Sequence, residues 1–224
     1  AHDIRGEIGV NIDEDIAYRI GRSVAQNFGA KSVVIGFDAR ETSPAFAQAA
    51  ARGVADAGAD VLDIGMAGSE EMYWAVTEFG ACAGIEVTAS HNPINYNGIK
   101  IVKSGSRPLD DAVDFQAIKR LAETEAWIAS KSHGAILDRA DDARSAYVNC
   151  VLKFVDEDAL RPLKIVVNCG NGAAGPTFDA IAKKLAQQSV PLKFIRVHHT
   201  PHHKFPHGIP NPLLPQNHAA TAEV

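Results

Sequence analysis

Thr88-Ala89-Ser90-His91-Asn92-Pro93, continued by Asn95-Tyr96-Asn97-Gly98-Ile99-Lys100, joins two apolar runs in the middle of a 224-residue chain. Gly84, Ile85 and Val87 precede it and read as a strand, so Ser90 falls on a loop at a strand's carboxyl end, where open α/β sheets bind ligands. Pro93 keeps Asn92 out of the helical region and stops the loop from winding up. Asn97-Gly98 predicts a tight turn that returns the chain into Ile99-Lys100-Ile101-Val102 and brings Lys100 back toward Ser90. A hydroxyl, an imidazole, an amide and an ammonium gathered in this way suit the handling of a phosphoryl group, where positioning and charge stabilisation do most of the chemistry.

Outward from this loop, strands and helices alternate. After the acidic start Asp13-Glu14-Asp15, Ile16, Ile20, Val24 and Phe28 recur every four residues and predict a helix. Ser32–Gly36 reads as a buried strand, and a helix follows with Pro44 in its first turn and its end near Gly58. Asp60–Gly65 is a strand, Glu70–Phe79 a helix, and Asp110–Trp127 an amphipathic helix. The polar stretch Ser130–Asp142 is expected to be a domain boundary. Beyond it come a helix over Ala143–Asp156, the strand Lys164–Asn168, a Gly-rich turn, the helix Thr177–Gln188 and the strand Leu192–Val197. The expected fold is therefore α/β: a mixed, mostly parallel sheet sandwiched by helices in a complete domain over residues 1–135, and an incomplete second domain of similar plan over 136–224.

A hydrophobic content of 46% suffices for a packed core, and a net charge of −5 with no basic patch argues against nucleic-acid or membrane partners. Cys82, Cys150 and Cys169 are widely spaced and read as buried small residues of a reducing compartment. There is no apolar run of about 18 residues. The expectation is a cytoplasmic protein.

The string T-A-S-H-N-P with the following N-x-N-G-x-K resembles the phosphoserine loop of the α-D-phosphohexomutases, the phosphomannomutases and phosphoglucomutases. Asp3-Ile4-Arg5-Gly6 is similar to that family's N-terminal arginine motif, although the family carries an aromatic three residues before the arginine and this chain has His2. Gly36-Phe37-Asp38-Ala39-Arg40 with Thr42-Ser43 resembles its second arginine segment. Asn168–Pro176 and Gly208–Pro215 resemble landmarks of its second domain.

The resemblance implies interconversion of hexose 6-phosphate and hexose 1-phosphate through a phosphoserine and a 1,6-bisphosphate. Ser90 is then the phosphoryl carrier and, through its phosphate, a ligand of Mg²⁺. His91 is either the base or, with Asn92, a group that fixes the loop. Lys100 and Arg5 join the catalytic set, and Arg40 and Asn92 bind substrate phosphate. The family's Asp-x-Asp-x-Asp-Arg metal loop has no counterpart here, nor do its third and fourth domains, so the chain is expected to be an inactive piece of a longer enzyme. Glu70–Tyr73 leans toward the mannose-directed branch. Nothing in the sequence sets the sugar or the oligomeric state.

Two other motifs compete. Gly170-Asn171-Gly172-Ala173-Ala174-Gly175 matches the dinucleotide fingerprint G-x-G-x-x-G, but the next strand offers Lys193 and Arg196 where the ribose needs an acid, so an oxidoreductase is the weaker reading. His198, His199, His202, His203 and His207 lie among prolines without a cysteine pattern and read as a solvated loop before a metal site.

Overall fold

A computed structural model describes residues 3–156, 159–188 and 190–224. The elements run β1 (Asp3–Glu7), α1 (Glu14–Asn27), β2 (Ser32–Phe37), α2 (Ser43–Asp56), β3 (Asp60–Met66), α3 (Ser69–Glu78), β4 (Ala83–Val87) and β5 (Tyr96–Lys103). They continue with β6 (Arg107–Pro108), α4 (Gln116–Thr124), β7 (Ile136–Asp138), α5 (Ala140–Leu152), β8 (Leu163–Asn168), α6 (Ala174–Gln187), β9 (Leu192–Val197) and α7 (Ala219–Ala222). His2 lies outside the described residues.

The main sheet has the order β1-β5-β4-β2-β3-β7, with β6 added beside β5. Strands β4, β2, β3 and β7 run parallel to one another, while β5 runs antiparallel to β4, β1 and β6. Every residue of β4 is buried, as befits a strand covered on both faces. Ile85 and Val87 face the cluster built with Val24, Phe46 and Val54 of α1 and α2. On the other face Gly84 lies against Met72 and Val76 of α3. Helix α1 starts where Asp13 caps it, its carboxylate accepting from the Ile16 amide at 2.9 Å, and Glu14 and Asp15 sit at the positive end of the dipole. The second unit is smaller: β8 and β9 pair in parallel beside α6, and α5 packs on both α3 and α6.

Several expectations change. The chain reverses before Asn97-Gly98, where the Asn92 amide bonds the Ala89 carbonyl and the Tyr96 amide the Pro93 carbonyl. Asn97 and Gly98 are already strand residues opposite Gly6 and Arg5. Gly98 is needed for close approach: a Cβ there would run into the carbonyl oxygens of Ile4 and Thr88. The single helix expected over Asp110–Trp127 is a π-helical turn (Asp111–Phe115) followed by α4, and Glu125 ends it in the left-handed region at φ 54°. Trp127 instead donates to Ser23 Oγ at 3.0 Å and stacks edge-on with Tyr18. The polar stretch Ser130–Asp142 contains β7, an edge strand of the first sheet, and the first residues of α5, which begins at Ala140 and stops at Leu152. The three cysteines are half-buried, and all are free thiols.

Candidate functional site

Strand β4 ends at Val87, and the loop that follows is tied down residue by residue. Thr88 Oγ1 donates to Asp38 Oδ2 at 2.7 Å and accepts from the Ser90 amide at 2.9 Å. Asp38 Oδ1 in turn accepts from Ser43 Oγ at 2.6 Å and from the Arg40 amide at 2.9 Å. Asn97, fully buried in β5, donates to Thr42 Oγ1 at 2.9 Å and Ser43 Oγ at 3.0 Å. The start of α2 thus becomes the floor of the loop.

Arg40 is the centre of this arrangement. Its side chain is 2% exposed. Nη1 donates to the carbonyls of Pro93 (2.9 Å) and Tyr96 (3.0 Å), and Nη2 to those of Ser90 (3.0 Å) and Asn92 (2.6 Å). Nε lies 3.5 Å from Asp38 Oδ2, and the guanidinium sits 5.8 Å from the ring of Phe205, a buried residue of the second unit. Burial, and then the nearby Arg5 charge, pull its pKa down, while Asp38 opposes them. All four terminal N–H groups serve main-chain carbonyls. The expected phosphate-binding role of Arg40 does not fit this geometry: the guanidinium is a clasp for the loop.

Ser90 is held with φ 53°, a left-handed conformation that costs a side-chain-bearing residue about 1–2 kcal/mol. Its hydroxyl is exposed and lies 3.2 Å from His91 Nδ1. Asn92 turns inward, Nδ2 donating one of its two hydrogens to the Ala89 carbonyl at 2.8 Å and keeping the other for a ligand. Arg5 donates to the same carbonyl at 3.1 Å and to Asp3 at 3.1 Å. Lys100 lies on β5 and its Nζ donates to Ser69 Oγ, the first residue of α3, at 3.3 Å rather than to Ser90. The loop therefore brings together Ser90, His91, Asn92, Arg5 and Arg40, with Lys100 on the adjoining strand.

Three supporting residues had no assigned role in the sequence reading. Asp38 and Asn97 stood within recognised strings. Glu86, an acid inside an apolar strand run, is 1% exposed with no hydrogen-bond partner on either oxygen. Burial, joined by Asp38 and Glu71, raises its pKa well above the carboxylate range.

Among the described residues no group of three or more His, Cys, Asp or Glu side chains is placed to hold a metal ion. Asp38 is committed to Thr88, Ser43 and Arg40, and Glu71 to Thr177 at 2.8 Å and Arg144 at 3.6 Å. These residues do not make up a magnesium site. In the histidine segment the His198 and His207 rings lie 3.6 Å apart at a tilt of 31°, His202 stacks on His203, and His199 Nε2 is 2.8 Å from Asp179 Oδ2 of α6. In the Gly-rich turn Asn171 bonds Thr200 and His207, and a Cβ on Gly175 would strike the His199 carbonyl. No helix among the described residues is long and apolar enough to cross a membrane.

Residues 1–128 match the family model for phosphoglucomutase/phosphomannomutase, alpha/beta/alpha domain I, and residues 145–224 that for domain II. The chain belongs to the phosphoglucomutase/phosphomannomutase family. It is 47% identical over 216 residues to a phosphomannomutase of Salmonella montevideo, covering 96% of this chain and 47% of that protein. A phosphomannomutase of Escherichia coli is 46% identical over 226 residues, covering 100% of this chain and 49% of the relative. The crystal structure of a phosphoglucomutase/phosphomannomutase family protein from Burkholderia thailandensis superposes with a TM-score of 0.83 at 31% identity, over 99% of this chain and 48% of that one. The chain spans about half the length of the curated relatives it matches.

Proposed function

We propose that this chain is the phosphoryl-carrying part of a cytoplasmic phosphohexomutase of the phosphomannomutase type, which interconverts hexose 6-phosphate and hexose 1-phosphate. Phosphorylated Ser90 passes its phosphoryl group to a sugar hydroxyl: the Ser90 O–P bond breaks, a sugar O–P bond forms, the sugar hydroxyl gives up its proton, and Ser90 Oγ takes up a proton to become a hydroxyl again. The bisphosphate reorients, and its other phosphoryl group returns to Ser90. The observation that carries this reading is Ser90 itself. A strained, exposed hydroxyl at the end of a central strand is held by an arginine that spends four N–H groups on nothing but the loop's shape. Such rigidity suits a nucleophile whose catalysis is mainly positioning.

His91, 3.2 Å from the hydroxyl, is the base that takes and returns the proton. Arg5 and the remaining Nδ2–H of Asn92 donate to the transferring group, and Lys100 supplies positive charge to it. Mg²⁺, implied by the resemblance, would require ligands other than the carboxylates described, and the sugar-reading surfaces are assigned to parts outside this chain. On this reading the 224 residues alone take up phosphate but turn nothing over.

Incubation with a hexose 1,6-bisphosphate followed by peptide mapping is expected to place a single phosphate on Ser90. In the complete gene product Ser90→Ala is expected to abolish both the label and mutase turnover. Retained turnover in that variant would sink the phosphoserine mechanism.

A further inference from the structure

Glu86 and Lys100 are direct cross-strand partners in the β4–β5 ladder, a position where opposite charges ordinarily pair. Here they do not. Both Glu86 oxygens lack a hydrogen-bond partner, and Lys100 Nζ turns to Ser69 Oγ. The carboxyl is nevertheless housed with care. It lies across Gly36, its partner on β2, so closely that a Cβ at 36 would come within 2.5 Å of Glu86 Oε2.

We propose that Glu86 is a positioning residue for Lys100: lying opposite it yet unpaired with it, the carboxyl leaves the ammonium free to meet an anion at the Ser90 loop. The inference rests on the reading of Lys100 as a cation of that loop. The groups facing Glu86 explain why it stays out of the pair. Asp38 stands beyond the end of β2 and is already held by Thr88 and Ser43. Glu70, Glu71 and Tyr73 approach from α3, with Arg144 of α5 engaged by Glu71. Lys100 faces it from β5, with Asp3 of β1 next in register. One cation among several acids, in a site closed to water, favours a proton on the least satisfied carboxyl. A protonated Glu86 cannot neutralise Lys100. Ionised at high pH, it would capture the ammonium and withdraw it from Ser69 and the loop.

The test uses the 224-residue chain with ¹³C-labelled glutamate side chains and ¹³C-methylated lysines. In the wild type the Glu86 carboxyl is expected to titrate well above the ordinary glutamate value of about 4.3. The Lys100 methyl resonance should show an inflection at that same pH, and Glu86→Gln should erase it while leaving the other lysines unmoved. The thermal midpoint of Glu86→Gln should equal that of the wild type near pH 4 and exceed it by several degrees at pH 8, because the wild type alone loses stability as pH climbs toward the folded-state pKa. An ordinary Glu86 titration, or a Lys100 profile unchanged in Glu86→Gln, would overturn the inference. Neither readout involves phosphoryl transfer, so its failure is separable from that of the phosphoserine reading, which Ser90→Ala decides.

Discussion

Replacing Arg40 by Ala separates a clasp from a phosphate binder. The side chain is almost fully enclosed and makes four charge-assisted bonds to carbonyls spread over Ser90–Tyr96. Each such bond is worth about 1.5–3 kcal/mol, but the freed loop can lift its carbonyls into water, which caps the loss. Asp38 would keep Thr88, Ser43 and the residue-40 amide, so its charge would not be wholly stranded. The net cost is then about 3–5 kcal/mol, the range for removing one partner from a buried charged network. With a urea slope of about 3 kcal/mol/M, the unfolding midpoint should fall by about 1–1.7 M. Amide hydrogen exchange across residues 88–98 should quicken far more than exchange in β2 or β3. Arg40→Lys should recover little, since one ammonium cannot span four carbonyls. A variant with unaltered stability and loop exchange but weakened phosphate uptake would refute the clasp and restore the original expectation.

A second perturbation concerns Asp114, whose carboxylate is held below its usual range first by the bond from Lys103 at 2.6 Å and then by the Asp110 amide. Because its folded pKa is depressed, the stabilisation is present above the unfolded value of about 3.9 and disappears as pH falls through the folded one. Asp114→Asn should therefore lower the thermal midpoint at pH 7 and have no effect near pH 2; a pH-independent difference would point to packing instead. For the turn at residues 170–175, calorimetric titration with NAD and NADP should show no saturable binding below millimolar concentration, and a micromolar constant abolished by Gly172→Val would promote the oxidoreductase reading.

The alternation of apolar runs made the sheet and its helices legible, because buried parallel strands need continuous apolar residues and their crossover helices need a stripe. The errors fall where long-range contact overrides local signal. Asn97-Gly98 has the chemistry of a turn, yet Gly98 is demanded by the carbonyls of Ile4 and Thr88, residues far away or across the sheet. The edge strand Ile136–Asp138 is too short and too exposed to announce itself, and only its pairing with β3 reveals it. At the site, Ser90 and His91 could be read from the loop string. That Arg40 faces inward could not, since an arginine's sequence position says nothing about which carbonyls will surround it. Glu86 was visible as an acid in an apolar strand, a conflict that only burial turns into information.

The left-handed backbone at Ser90 carries a consequence for anyone redesigning this protein. Judged by φ alone, position 90 suits glycine, and serine is tolerated there at a loss of about 1–2 kcal/mol. A search guided by thermal stability would therefore rank Ser90→Gly among its early gains. It would remove, as its first improvement, the one hydroxyl on which the proposed chemistry depends.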